Sequence, residues 1–340
     1  MDTTNLIDKI FNANTSNQAS VINDVFQFQY NNNPIYKQWC NLLGIWNGEF
    51  AIAQPHETNY KFQITNYPFL PISFFKSHSI KTTEFEPQFI FESSGTTQTI
   101  NSKHLVKDAS VYIRSFLKTF ELAYGRVEEW CIIGLLPSYL ERSNSSLVCM
   151  VDELVKRSNH PSSGFCLYDF EKLADTLNKL EAAQQKTLLI GVTFALIDFA
   201  DAYQMNLQHT IVVETGGMKG RKREMTRAEV HQILKSRLGV DVVHSEYGMT
   251  ELLSQAYSQG NDRHFCPPWM KVMIRDEEDP LLVKPFGRGV INIIDLANIY
   301  SCSFIATEDV GEVFEDGSFK IYGRLDNSDL RGCSLMLTSL

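Results

Sequence analysis

The residues best suited to chemistry stand in four short groups of small, hydroxylic or charged side chains. The first, Ser93-Ser94-Gly95-Thr96-Thr97-Gln98, follows the apolar run Phe89-Ile90-Phe91. Small side chains let a backbone approach phosphate oxygens closely, so that N–H and hydroxyl groups can donate to them. The run lacks the GxxxxGK[ST] spacing of a Walker loop. The second group, Glu214-Thr215-Gly216-Gly217, follows Ile211-Val212-Val213; paired glycines at a strand end admit a flat ring or a ribose against the backbone. The third is Tyr247-Gly248-Met249-Thr250-Glu251. It offers an aromatic face for a base, a hydroxyl for an oxyanion and a carboxylate able to hold Mg²⁺ beside phosphate oxygens. The fourth runs from Thr307-Glu308-Asp309 to Gly323-Arg324-Leu325-Asp326. There an aspartate can accept from both ribose hydroxyls, and an arginine presents a planar fork to phosphate or ribose oxygens. Asp316-Gly317, between them, reads as a solvated hairpin turn.

These groups need rigid elements behind them, and the apolar patterning supplies candidates. Short apolar runs predict strands over 89–92, 131–136, 188–192, 210–213 and 240–244, and helical periodicity covers 104–122, 168–180 and 226–238. Strands alternating with helices predict an α/β sheet, in which ligand loops leave the carboxyl ends of the strands. After about residue 267 the texture changes to short β-like runs over 290–294, 311–314 and 319–322, read as a small β-rich subdomain spanning about 267–323. Near the start, Val21, Ile22, Val25 and Phe26 fall at helical spacing within a polar stretch, predicting a docking helix.

Composition narrows the function. With 340 residues, 44% of them hydrophobic, the chain can bury a large core. Its 31 Lys+Arg against 40 Asp+Glu give a formal charge of -9, which argues against a nucleic-acid backbone as partner. The start MDTTNLIDKI shows no basic flank followed by an apolar stretch, and no run is long enough for a membrane span, so a cytoplasmic protein is expected. Seven scattered cysteines without CxxC spacing, and eight histidines without HExxH, predict neither a disulfide scaffold nor a structural metal.

Taken in order, the four groups resemble the adenylate-forming superfamily of acyl-CoA synthetases, luciferases and peptide-synthetase adenylation domains. Ser94-Gly95-Thr96-Thr97 looks like its phosphate loop, Gly216-Gly217 like its adenine-side glycines, Tyr247 to Glu251 like its YGxTE motif and Thr307 to Asp309 like its TGD. Gly323-Arg324-Leu325-Asp326 is similar to its hinge motif. The expected fold is therefore that superfamily's α/β N-terminal domain, mixed sheets with flanking helices plus the small β-rich subdomain, over residues 1–323. Residues 324–340 are expected to form a hinge and short tail, with the superfamily's mobile C-terminal domain absent or reduced to that stub. Within the superfamily the chain looks most like the acyl-protein synthetases of bacterial bioluminescence, the LuxE type. Gln98, Asn101, Glu308 and Arg331 depart from the superfamily pattern, and Lys103 is placed to compensate for Asn101.

The resemblance implies ATP and Mg²⁺ as cofactors and a fatty or other carboxylic acid as substrate. In that reading Ser93 and Ser94 to Thr97 cradle phosphates, Thr250 contacts the α-phosphate and Glu251 ligates Mg²⁺. Tyr247, Gly216 and Gly217 frame the adenine, Gly248 and Met249 are further cofactor-binding residues, Asp309 grips the ribose and Arg324 assists at ribose or phosphate. Cys333 is the expected acyl carrier, and an acyl-protein or acyl-CoA reductase the implied partner. Two other readings fit the same motifs: a coenzyme A ligase of the phenylacetate type, separated by acceptor preference, and a nucleotide-binding homologue without turnover, separated by pyrophosphate release.

Overall fold

A computed structural model describes residues 3–46, 49–50, 67–93, 100–136, 144–216 and 225–325. Among them a 13-stranded mixed sheet runs through the molecule, with helices against it. One half is parallel. The strands Gly164–Cys166, Cys131–Leu135, Thr187–Val192, Thr210–Thr215 and Val243–Tyr247 lie side by side in that order. Cys131–Leu135 and Thr187–Val192 are buried along their whole length, as strands covered on both faces must be, which is why they read as continuous apolar runs. The other half is antiparallel and continues the same sheet through Ala256–Ser258, His264–Phe265, Phe319–Arg324, Phe304–Val313, Gly287–Asp295 and Met270–Arg275.

The helices follow from local signals. Ala109–Tyr124 is capped by the Asp108 carboxylate, which accepts from the Ser110 N–H at 2.9 Å, and ends at Gly125 with φ +79°. Its buried face, Val111, Tyr112, Ser115, Phe116, Thr119 and Phe120, repeats with helical period. Arg227–Leu238 opens on a capping box between Thr226 and Glu229 and closes at Gly239 in the left-handed region. The helix Gln18–Asn32 buries Val21, Ile22, Val25 and Phe26, the four positions whose spacing predicted it. Phe26, Tyr36, Tyr67 and Phe69 surround Phe304 with ring centroids 5.2 to 6.2 Å apart, fastening the N-terminal helices to the sheet.

Several predicted boundaries move, and two of the shifts bear on the site. Residues 103–106 form a strand rather than the start of a helix, because Lys103–Val106 pairs antiparallel with Phe89–Glu92 and the cap at Asp108 delays the helix. The strand expected over 240–244 lies at Val243–Tyr247 instead, since Gly239 ends the preceding helix and pairing with Thr210–Thr215 begins at Val243. The shift places Glu246 and Tyr247 on the strand. No helix of the described residues is long and apolar enough to cross a membrane.

Candidate active site

The parallel half brings two buried carboxylates to its strand ends: Glu214, which opens the second group, and Glu246, which precedes the third. Register pairs Ser245 with Glu214 and Glu246 with Thr215, so alternation sends Glu214 to one face of the sheet and Glu246 to the other. Glu214 accepts from the Thr193 hydroxyl at 2.5 Å, and that same hydroxyl lies 2.7 Å from the Gly216 carbonyl. Arg227 and His231, one turn apart on the capped helix, each stand 3.9 Å from the Glu214 carboxylate. Burial raises the Glu214 pKa, but His231, Arg227 and Thr193 outweigh it and the net shift is downward. Glu246 accepts from the Thr215 hydroxyl. Burial dominates here: it pushes the Glu246 pKa up to about 7, against the Thr215 hydrogen bond and assisted by the charge on Glu214.

Gly216, at φ +78°, starts the loop after Thr210–Thr215. Gly248 opens the turn after Val243–Tyr247, where a Cβ would meet the Glu246 carboxylate oxygen at 2.5 Å. Met249 packs against the core, Thr250 follows half-buried and Glu251 is buried. The chain then returns into Ala256–Ser258, which pairs with the strand it left.

In the antiparallel half the side chains sit on strands. Along Phe304–Val313 burial alternates, and Thr307 and Asp309 share the inward face while Glu308 points away. Glutamate at the middle position of that motif therefore leaves Asp309 undisturbed. The Tyr247 hydroxyl donates to Asp309 Oδ2 at 2.8 Å, and Arg324 Nε donates to Asp309 Oδ1 at 3.0 Å from the directly paired position on the next strand. Behind them the Asp309 N–H donates to the Thr307 hydroxyl, and Arg275 donates to the Thr307 carbonyl and to Asn292. The Tyr247 ring packs edge-on to Phe319 at 5.2 Å, and burial beside Asp309 pushes its phenol well above the ordinary value. Burial works against the charge of Arg324, but Asp309, Tyr247 and Glu251 outweigh it and hold its pKa up. That effect puts Glu251 in electrostatic range of the Arg324 guanidinium, whose side chain stays 54% exposed.

The first group begins at a closed neck. The Ser93 N–H donates to the Ser102 carbonyl at 3.1 Å, and the Ser102 N–H donates to the Ser93 hydroxyl at 2.9 Å. Lys103 lies at that neck, 3.6 Å from Glu92 and largely exposed. Ser94, Gly95, Thr96, Thr97, Gly217 and Cys333 lie outside the described residues. Of the predicted residues, Tyr247, Asp309 and Arg324 form one hydrogen-bonded cluster, with Glu251 within its field. In the sequence Glu214 has a place in the second group but no role, and Glu246 is not singled out. Glu214 directly closes the apolar run Ile211-Val212-Val213, a signal that could have marked it as buried rather than as loop, whereas Glu246 follows His244 and Ser245 and carries no such mark.

The donor set suits a nucleotide. Asp309 presents a carboxylate fixed by two partners, able to accept from hydroxyls, and the half-exposed Arg324 guanidinium is able to donate to an anion. The fold is that of adenylate-forming enzymes: it is similar to 2-hydroxyisobutyryl-CoA ligase in the postadenylation state in complex with 2-HIB-AMP, with a TM-score of 0.61 and 12% identity, covering 92% of this chain and 69% of that one. Within that class the chain belongs to the acyl-protein synthetase LuxE family, whose description matches residues 8–340. It is similar to the long-chain-fatty-acid–luciferin-component ligases of Aliivibrio fischeri, 21% identical over 345 residues, and Vibrio harveyi, 21% identical over 348 residues. Each match covers 94% of this chain and 87% of the relative. The chain is an ATP-dependent acyl ligase.

Proposed function

We propose that the chain joins a fatty acid to AMP and passes the acyl group to a cysteine thiol. The observation that carries this reading is the Tyr247–Asp309–Arg324 cluster, set beside the Thr250–Glu251 loop. In the first step a carboxylate oxygen of the acid attacks the α-phosphorus of ATP and pyrophosphate leaves. Such a step needs positioning and charge neutralisation more than a protein nucleophile. Asp309 accepts from the ribose hydroxyls, and Tyr247 holds it in place with its phenol. Gly216, Gly217, Gly248 and Met249 border the adenine, Ser94, Thr96 and Thr97 donate to the outer phosphates, and Thr250 donates to the α-phosphate. Arg324 neutralises negative charge beside them. Glu251 would hold Mg²⁺, which when bound supplies further charge neutralisation at the phosphates.

In the second step a thiolate attacks the acyl carbon and AMP leaves, conserving the activation in a thioester. Cys333 is the proposed carrier, brought to the site by residues 324–340 acting as hinge and tail. A reductase is the proposed recipient of the acyl group. The names of the luciferin-component ligases support a long-chain fatty acid as substrate. Exchange of labelled pyrophosphate into ATP, run with medium- and long-chain fatty acids, tests the first step. Acid-dependent exchange that disappears in Glu251→Gln is expected; exchange with no acid in the series contradicts the reading.

A further inference from the structure

The Thr250–Glu251 loop has no regular secondary structure to hold it, yet its backbone is fixed at four successive points by side chains from distant parts of the chain. Asp295, at the end of Gly287–Asp295 and fully buried, accepts from the Leu253 N–H at 2.8 Å and the Ser254 N–H at 3.0 Å through Oδ2. Its Oδ1 accepts from the Ser254 hydroxyl at 2.6 Å and the Ala297 N–H at 3.2 Å. Asn298, also fully buried, donates to the Glu251 carbonyl at 2.8 Å. His104 Nδ1 stands 2.8 Å from the Thr250 carbonyl. A carbonyl only accepts, so Nδ1 carries the proton; burial holds the imidazole pKa down to about 4, which keeps the ring neutral.

We infer that Asp295, Asn298 and His104 are positioning residues for the adenylation step, fixing the backbone of residues 250–254 so that the Thr250 hydroxyl and Glu251 carboxylate face the nucleotide. The inference rests on the proposed function above. Burying a carboxylate is costly unless its acceptors are filled. Among the described residues no lysine or arginine forms an ion pair with Asp295, and three of the four bonds that satisfy it come from Leu253 and Ser254 in the loop itself. An apolar residue would fill the same volume without that cost, so the carboxylate serves the loop. His104 extends the effect. It lies on Lys103–Val106, the strand leaving the Ser93–Ser102 neck, and so ties the base of the phosphate loop to Thr250. Asn298 is backed in turn by Gln29, whose amide donates to the Asn298 and Ile299 carbonyls at 2.9 and 3.0 Å. The helix Gln18–Asn32 thereby braces the turn that holds Glu251.

Steady-state pyrophosphate exchange with Asp295→Asn, His104→Leu and His104→Asn tests this, alongside amide hydrogen exchange at Leu253 and Ser254. Asparagine at 295 aims a donor at groups that already donate, so kcat is expected to fall between about ten- and a hundred-fold. KM for the acid should stay within about two-fold, because its binding is not what the clamp controls. His104→Leu should lose about ten-fold in kcat, and His104→Asn, which keeps a donor near the Nδ1 position, should recover most of it. If Asp295→Asn does not fold, the His104 pair decides the matter. Folded variants that keep wild-type kcat, with or without faster amide exchange at 253 and 254, overturn the inference. A wild-type protein that exchanges pyrophosphate with no acid overturns the proposed function instead, and no variant is needed to see it.

Discussion

The two halves of the sheet present their candidate residues in opposite ways. In the parallel half, Gly216, Gly248, Thr250 and Glu251 sit beyond the strand ends, and their geometry depends on what grips the loops from outside. In the antiparallel half, Asp309 and Arg324 sit on paired strands, and register alone sets them opposite one another. Loop-borne groups can be moved by changes far from them, whereas strand-borne groups answer mainly to loss of their own partners. Tyr247 joins the halves: it ends a parallel strand and hydrogen-bonds to Asp309 across the boundary.

The largest effect that would break this contrast is expected at Asp309. Asp309→Ala removes the acceptor of both Tyr247 and Arg324 and should lower pyrophosphate exchange by about a hundred-fold or more. It also leaves a buried phenol unpaired, costing about 1–3 kcal/mol in urea unfolding. Loss of exchange without loss of stability would mean that the cluster is less buried than its geometry shows.

Next comes the pH dependence of stability, which the parallel half should dominate. Glu246, held at about 7 in the folded chain, keeps its proton where an unfolded glutamate has lost it. Its contribution therefore opposes folding: it is absent at low pH and grows as pH rises from the ordinary carboxyl range to about 7. Asp295, pushed up to about 6 chiefly by burial, acts in the same direction over a lower window. Glu214, shifted downward, acts in the opposite sense, losing stability as pH falls. Glu246→Gln should flatten the decline up to pH 7 and raise stability above it by roughly 1–3 kcal/mol, read by urea unfolding across pH. An unchanged profile would remove Glu246 from the account.

The smallest effects are expected at exposed charges. Arg324→Ala should cost less than about 1 kcal/mol of stability, since its pair with Asp309 is half in water, while weakening ATP binding measured by calorimetry. Lys103→Ala should change stability by at most about 0.5 kcal/mol, its contact with Glu92 being long and exposed. Should Lys103→Ala instead weaken ATP binding more than Arg324→Ala does, the weight of phosphate recognition would shift to the neck of the first loop.

Much of this arrangement was legible in the sequence because local rules carry it. The periodicity over 226–238 predicts the helix that Thr226 caps, the spacing of Val21 to Phe26 predicts the helix Gln18–Asn32, and the triplet Thr307-Glu308-Asp309 marks Asp309. Other features depend on pairing across long separations. Leu105 and Val106 suit a helix until Phe89–Glu92 claims them as a strand. Nothing local singles out Asp295, because its donors, Leu253 and Ser254, lie 42 and 41 positions earlier in the chain. The helix Thr193–Ala202 was not predicted at all, being buried on nearly every side and so lacking an amphipathic period. The resemblance of the motifs named the family, but the residues that hold those motifs in place emerged only from the packing.

The central claim, activation of a fatty acid followed by capture on a thiol, is tested most directly by intact mass. Purified protein is incubated with ATP, Mg²⁺ and fatty acids, with and without hydroxylamine, as wild type, Cys333→Ser and Glu251→Gln. An ATP-dependent acyl adduct that hydroxylamine removes, present in the wild type and absent from both variants, is the predicted result. An adduct that persists in Cys333→Ser would place the carrier elsewhere, and the absence of both adduct and pyrophosphate with every acid would contradict the account.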